Sequence, residues 1–225
     1  NKAGTRKAKD CTLILTEGDS AKTLVISGLT GDQRDYFGVF PLKGKLLNVK
    51  EKTVDKIADN DEIIKLKKIL GLESTKDYNK DFTVWPLRYG KLMIMTDQDV
   101  DGSHIKGLII NYFDEFHPGL LKKGFITCMT TPIVKVTKGK QVATFYSEPE
   151  YEQWKETHNN GKGWHAKYYK GLGTSNAKEA KEYFASPKIV NYDWTDDLSG
   201  EAIDLAFRKS RTDNRKTWLE SHNVN

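Results

Sequence analysis

Three carboxylates alternate with other residues in Asp97-Gln-Asp99-Val-Asp101-Gly102. In extended chain that spacing sends all three to one side, where like charges repel unless a cation sits among them. An all-oxygen donor set suits a hard divalent ion, Mg²⁺ or Ca²⁺, better than zinc. An EF-hand loop also opens D-x-D-x-D-G, but its twelfth position calls for a bidentate Glu and here is Leu108. The residues before it also read as a buried strand, not a helix. A plain acidic turn is the other alternative. A second acidic group, Glu17-Gly-Asp-Ser20, likewise follows a short apolar run and opens a helical stretch. Alone it is ordinary acidic helix capping. Beside the Asp triplet, Glu17 adds a fourth carboxylate able to hold a metal or move a proton.

Basic groups form the second set. Lys43, Lys45 and Asn48 lie on a loop whose Gly44 lets backbone approach a phosphate closely. Arg215 and Lys216, in a tail rich in Lys and Arg, have the same capacity. For all five the competing reading is a solvated polar surface. Gly171-Leu-Gly173 has neither the G-x-G-x-x-G spacing nor the G-K-[ST] of a phosphate loop, and reads as structural support for the domain surface. His104, just after the acidic turn, either braces the carboxylates or a phosphate or is a helix-start residue without a metal role.

The elements that position these groups follow from periodicity. Thr12–Thr16 and Phe37–Leu42 read as strands, with a helix from Ala21 to Leu29 between them. A helix over Asp61–Leu70 stops at Gly71, and residues 72–90 read as a surface loop. Lys91–Thr96 is the continuous apolar run of a strand buried on both faces. After the 97–102 turn, with Ser103 as N-cap, a helix presents Ile105, Leu108, Ile109, Tyr112, Phe113 and Phe116 as one stripe before Pro118-Gly119 ends it. Strand, turn, helix, with chemistry on the turn, is the ligand end of an open α/β sheet. Phe125–Thr131, Ile133–Thr137, Val142–Tyr146 and Trp164–Tyr169 are strands, the second and third joined as a hairpin. They either extend the main sheet or form a subdomain. Glu148–Thr157 is helical, Asn176 with Glu179 reads as a capping box opening a helix that Pro187 closes, and 200–225 is a helical tail. The expected organisation is a flexible lead-in over 1–10, an α/β core over 11–135, and a hairpin and basic helical extension over 136–225.

Composition narrows the class. The chain has 225 residues, 37% hydrophobic, 11% aromatic and 30% charged, with net charge +5. The aromatic content excludes a disordered chain, no run approaches the roughly 18 apolar residues of a membrane helix, and the first ten residues lack the apolar stretch of a secretory leader. The start at Asn1 suggests an excised piece. The mild positive charge is compatible with a nucleic-acid partner. Cys11 and Cys128 read as two buried thiols in a reducing compartment.

Together the motifs Thr16-Glu-Gly-Asp-Ser-Ala21, Pro41-Leu-Lys-Gly-Lys45 with Leu47-Asn-Val49, Asp97-Gln-Asp-Val-Asp-Gly-Ser-His-Ile105 and Tyr169-Lys-Gly-Leu-Gly-Thr174 resemble the Toprim region of type II DNA topoisomerases, in order, from about residue 11 to residue 219. Arg88–Thr96, Phe145-Tyr146, Ala206–Lys209 and Arg215–Leu219 resemble the eukaryotic branch. The resemblance implies a Rossmann-like Toprim fold with a mostly parallel sheet and a β-rich, helical insertion or extension. It implies Mg²⁺, for which Mn²⁺ or Ca²⁺ can substitute in binding, held by Glu17, Asp97 and Asp99 with Asp101 assisting. Glu17 is the implied acid/base at the 3′-hydroxyl. A tyrosine on a winged-helix segment outside this chain would attack the phosphate, leave a 5′-phosphotyrosyl link and be displaced on resealing. Double-stranded DNA would contact Lys43, Lys45 and Asn48. ATP would bind only in a segment outside the chain. A homodimer and nuclear residence are implied for the whole protein, and the chain alone is expected to hold metal and contact DNA without turning over. The competing readings are a stand-alone Mg²⁺-dependent Toprim nuclease or primase-like protein, a DNA- or Ca²⁺-binding module, and an aspartyl-phosphate phosphatase.

Overall fold

The computed structural model describes residues 2–78 and 87–222. Its first half comprises β1 Thr12–Glu17, α1 Gly18–Gly28, α2 Gly31–Tyr36, β2 Phe37–Leu42, α3 Val54–Ala58, α4 Asp61–Leu70, β3 Lys91–Met95, α5 Val100–Phe116, α6 Pro118–Lys122 and β4 Ile126–Thr130. There follow β5 Val134–Lys138, β6 Gln141–Phe145, α7 Glu148–Thr157, β7 His165–Tyr168, α8 Ala177–Ala185, β8 Lys188–Asn191, α9 Asp197–Phe207 and α10 Thr212–Ser221.

The main sheet has the order β2-β1-β3-β4-β8. The first four strands are parallel, and β8 closes the edge antiparallel to β4. Side chains of a strand alternate between faces, and the core divides accordingly. Leu13, Leu15, Leu92 and Ile94 pack with Leu66 and Leu70 of α4 and with Ile105, Leu108, Ile109, Tyr112 and Phe113 of α5. Ile14, Met93 and Met95 face the other way, onto Leu24 and Val25 of α1 and Ala180 and Phe184 of α8. Each such fully buried aliphatic or aromatic side chain is worth about 1.5–3 kcal/mol relative to exposure. The run at 91–95 is thus buried on both faces, as its composition predicts. Pro41 lies inside β2, which an edge strand tolerates.

The connections decide where a ligand can sit. The chain leaves β1 for β2 on one side, then returns past β1 to β3 on the other. Parallel sheets open a crevice at the carboxyl ends of strands where the order reverses like this. Glu17 ends β1, and Asp97 lies two residues beyond β3.

Several expectations change. Helix α1 starts at Gly18 rather than Ala21. Helix α5 starts at Val100, and its N-cap is Asp99, not Ser103: the Asp99 carboxylate accepts the Gly102 N–H at 2.7 Å one turn earlier. The three aspartates therefore do not alternate along one extended strand. Asp97 follows β3, Asp99 caps the helix and Asp101 sits in its first turn. Pro118 opens the short helix α6 rather than only ending α5. Part of the loop expected over 72–90 lies outside the described residues; within the described part Leu72, Tyr78, Leu87 and Tyr89 are buried, not surface. The short strand β8 has no alternating pattern to announce it. Of the four strands expected after residue 125, β4 joins the main sheet. The other three form a separate antiparallel sheet, β6-β5-β7, over its own cluster of Val134, Val136, Phe145 and Tyr151. The helical tail is two helices split by a turn at Lys209–Arg211, with 223–225 outside the described residues.

Other expectations hold. Gly71 ends α4 in the left-handed region at φ 74°. Asn176 and Glu179 form a reciprocal capping box. Cys11 and Cys128 are free and buried. The lead-in differs from the flexible one expected: residues 2–10 lie against the body of the protein, with Ala8 buried and the Lys2 N–H on the Asp35 carbonyl at 2.7 Å. Among the described residues no helix is long and apolar enough to cross a membrane.

Candidate metal centre and nucleic-acid interface

Two strand ends build the site. Thr16 and Thr96 are buried, and their hydroxyls donate to the Gly18 and Gly102 carbonyls, both at 3.3 Å, tying each turn to its strand. Glu17 and the three aspartates are thereby brought within electrostatic reach of one another. The Glu17 carboxyl is raised above its ordinary value, first by burial and then by the charges of Asp97, Asp99 and Asp101, with Lys45 pulling the other way. Its Oε2 is buried and has no hydrogen-bond partner. A buried carboxylate oxygen without a donor is costly, and a proton or a cation relieves it.

The other carboxylates are partly occupied. Asp97 Oδ1 accepts the Leu172 N–H at 2.7 Å, and Asp99 Oδ1 the Gly102 N–H. Asp101 pairs with the Lys45 ammonium at 2.6 Å, and this hydrogen bond and charge hold its carboxyl below its usual range. As arranged, no three acidic, His or Cys side chains among the described residues form a ready cation cage. The donor chemistry fits a hard divalent ion, and Lys45 lends a positive charge to the same acidic cluster.

Lys43 and Lys45 are exposed on the loop after β2, which Gly44 turns at φ 114°, a shape that favours glycine. The base of that loop is clamped by Lys50, whose ammonium reaches Asp114 at 3.0 Å and Glu115 at 2.8 Å on α5. Asn48 joins this bracing: its Nδ2 donates to the Phe207 carbonyl at 2.9 Å, and its Oδ1 accepts from Asn111 and from the Lys50 N–H, both at 3.1 Å. Arg215 braces the neighbouring helix. Its guanidinium donates to the Leu205 and Arg208 carbonyls at 2.8 Å each, satisfying the end of α9. Lys216 is exposed and pairs with Asp213 at 3.3 Å. His104 stacks on Phe207 with ring centroids 6.3 Å apart.

Sequence reasoning reached the carboxylates but not what holds them. Gly171 and Leu172 touch Asp97 from 75 residues away, and only the paired glycines hinted at a close approach. Behind them, buried Glu179 accepts from Lys167 at 2.8 Å, Tyr169 Oη at 2.6 Å and the Asn176 N–H at 2.9 Å.

Comparison with known proteins agrees with this architecture. The Toprim domain family matches residues 12–130, and the C-terminal associated domain of TOPRIM matches residues 129–225. The chain belongs to the Toprim family, as carried by eukaryotic DNA topoisomerase 2 proteins. DNA topoisomerase 2-alpha of Rattus norvegicus is 54% identical over 97% of this chain and 14% of that protein. DNA topoisomerase 2 of Plasmodium falciparum is 54% identical over 98% of this chain and 16% of that protein. The crystal structure of the Plasmodium falciparum topoisomerase II DNA-binding, cleavage and re-ligation domain superposes with a TM-score of 0.91 at 53% identity, covering 97% of this chain and 30% of that one. The chain thus spans about one-seventh of the length of these curated relatives.

Proposed function

We propose that this chain is the metal-holding, DNA-cleaving and resealing part of an ATP-dependent type II DNA topoisomerase. The observation that carries the reading is Glu17, with its orphaned buried oxygen, at one strand end beside Asp97, Asp99 and Asp101 at the next. Glu17, Asp97 and Asp99 would hold Mg²⁺, with Asp101 assisting once Lys45 lets go. The bound ion would supply charge neutralisation at the phosphodiester. Glu17, poised by burial to bind a proton more tightly than a free carboxylate, would exchange one with the 3′-oxygen as the strand opens and reseals. Lys43 and Lys45 would position double-stranded DNA by its phosphates. The tyrosine nucleophile on a winged-helix segment, the ATP site, the homodimer partner and nuclear residence belong to the whole protein in this reading.

The test uses end-labelled duplex DNA with Mg²⁺ or Mn²⁺, denatured and scored for cut strands with and without a separately purified winged-helix segment. No cutting alone, but protein-linked 5′ ends on addition of that segment, lost in Asp97→Ala, supports the reading. Cutting by the chain alone, lost in the same variant, overturns it in favour of a stand-alone nuclease.

Lys45 gives a second prediction. Lys45→Ala should weaken duplex DNA binding and lower the slope of log affinity against log salt by about 1, one phosphate contact. Because the ammonium also leaves Asp101, Mn²⁺ affinity in the absence of DNA should rise or hold. Fluorescence anisotropy over a salt series and Mn²⁺ titration check the two halves.

A further inference from the structure

The glycine at 171 is not explained by its backbone. Its φ of −179° and ψ of 175° are extended, a shape any residue adopts. What excludes a side chain is the Asp97 carboxylate: a Cβ at 171 would lie 2.5 Å from Oδ2, 3.0 Å from Cγ and 3.1 Å from Oδ1. The next residue supplies the complementary half, since the Leu172 N–H donates to Asp97 Oδ1 at 2.7 Å. We infer that the Gly171-Leu172 backbone is a positioning element for Asp97, which directs one carboxylate oxygen by an N–H and admits the other into the space a side chain would fill. This rests on the metal-holding role proposed above for Asp97.

The element is built to be stiff. Leu172 is 3% exposed and packs with Ile14, Leu24, Val25 and Met95 under the sheet. Thr174 folds back onto the Gly171 carbonyl through its hydroxyl at 2.7 Å and its N–H at 3.1 Å. The strand before and the helix after are tied by Glu179, through Lys167, Tyr169 and Asn176. A carboxylate held this way loses less rotational freedom on binding a cation, and partners that orient a metal ligand are typically worth 10–100-fold in metal affinity. The C-terminal part of the chain thereby sets a ligand that the α/β core contributes.

Gly173 provides a matched control, because a Cβ there meets nothing within 4 Å. In the 225-residue chain, Gly171→Ala should weaken Mn²⁺ binding, read from the EPR signal of free Mn²⁺, by about 10–100-fold, while Gly173→Ala stays within about 2-fold. Gly171→Ala should also lower the thermal midpoint, and that loss should vanish in an Asp97→Ala background, where the conflicting carboxylate is gone. The Leu172 amide proton resonance should move upfield in Asp97→Ala. Equal Mn²⁺ affinities for the two glycine variants, or a thermal loss that persists without Asp97, would overturn the inference. If Gly171→Ala does not fold, folding of the Gly171→Ala/Asp97→Ala double variant supports it and failure of both sinks it. Absence of Mn²⁺ binding by the parent chain would count against the metal reading alone, leaving the thermal cycle and the amide shift to judge the positioning.

Discussion

Glu17→Gln should make the metal-free chain more stable at neutral pH while removing about 10²–10⁴-fold of strand cleavage in the assembly reconstituted with its tyrosine-bearing segment. The two effects share a cause. Burial and the neighbouring Asp97, Asp99 and Asp101 raise the Glu17 carboxyl above 4.5, so the folded state binds its proton more tightly than the unfolded chain does. For such a group the linked stability is fully present below the unfolded value and is lost as pH rises through the folded one. Wild type and Glu17→Gln should therefore match most closely near pH 4. They should diverge in favour of the variant as pH rises above 4.5, then run parallel once Glu17 is ionised in both states. Urea midpoints measured across pH 4–8 with a chelator present check this, and millimolar Mg²⁺ should narrow the gap. A variant less stable than wild type at pH 7 would mean that the Glu17 charge is welcomed in the fold and that no cation is needed to relieve it.

The legible part of this protein was what local patterns carry. The 91–96 run, the stripe from Ile105 to Phe113, Gly71 and the Asn176–Glu179 box each encode their element in neighbouring residues, and the structure keeps them. The carboxylates were legible because repulsion among close acids is a chemical anomaly visible in sequence. The rest depends on partners distant in the chain. Strand β8 exists because β4 offers it an edge, not because Lys188–Asn191 alternates. Asn48 and Arg215 have the residue types of phosphate ligands, but nothing local in the sequence shows that they also donate to the Phe207, Leu205 and Arg208 carbonyls, placed there by the packing of the C-terminal helices. The cap at Asp99 displaced the one expected at Ser103 because a carboxylate one turn earlier reaches the Gly102 N–H first.

That cap makes Gly102 the position where stability and chemistry should fail together. The residue lies inside α5, where exchanging glycine for alanine ordinarily stabilises by about 0.5–1 kcal/mol. Here a Cβ would meet the Asp97 carbonyl oxygen at 2.1 Å and Thr96 Oγ1 at 3.0 Å. Neither can retreat easily: Thr96 is buried at the end of β3, and the Asp97 backbone leads into the turn. Moving residue 102 outward would also pull its N–H from Asp99 Oδ1, at a cost of about 1 kcal/mol for the cap. Strain of this kind typically costs 1–3 kcal/mol, so Gly102→Ala should lose roughly 2–4 kcal/mol in urea unfolding. Ser103→Ala, which removes no cap because Asp99 supplies it, should change stability by less than about 0.5 kcal/mol. Since the turn fixes Asp97 through its backbone and Asp99 through its carboxylate, Gly102→Ala should also lose Mn²⁺ binding and cleavage. It thus lowers stability and activity in step, where Glu17→Gln drives them apart. That contrast separates residues that build the acidic cluster from the one whose charge the cluster has to accommodate.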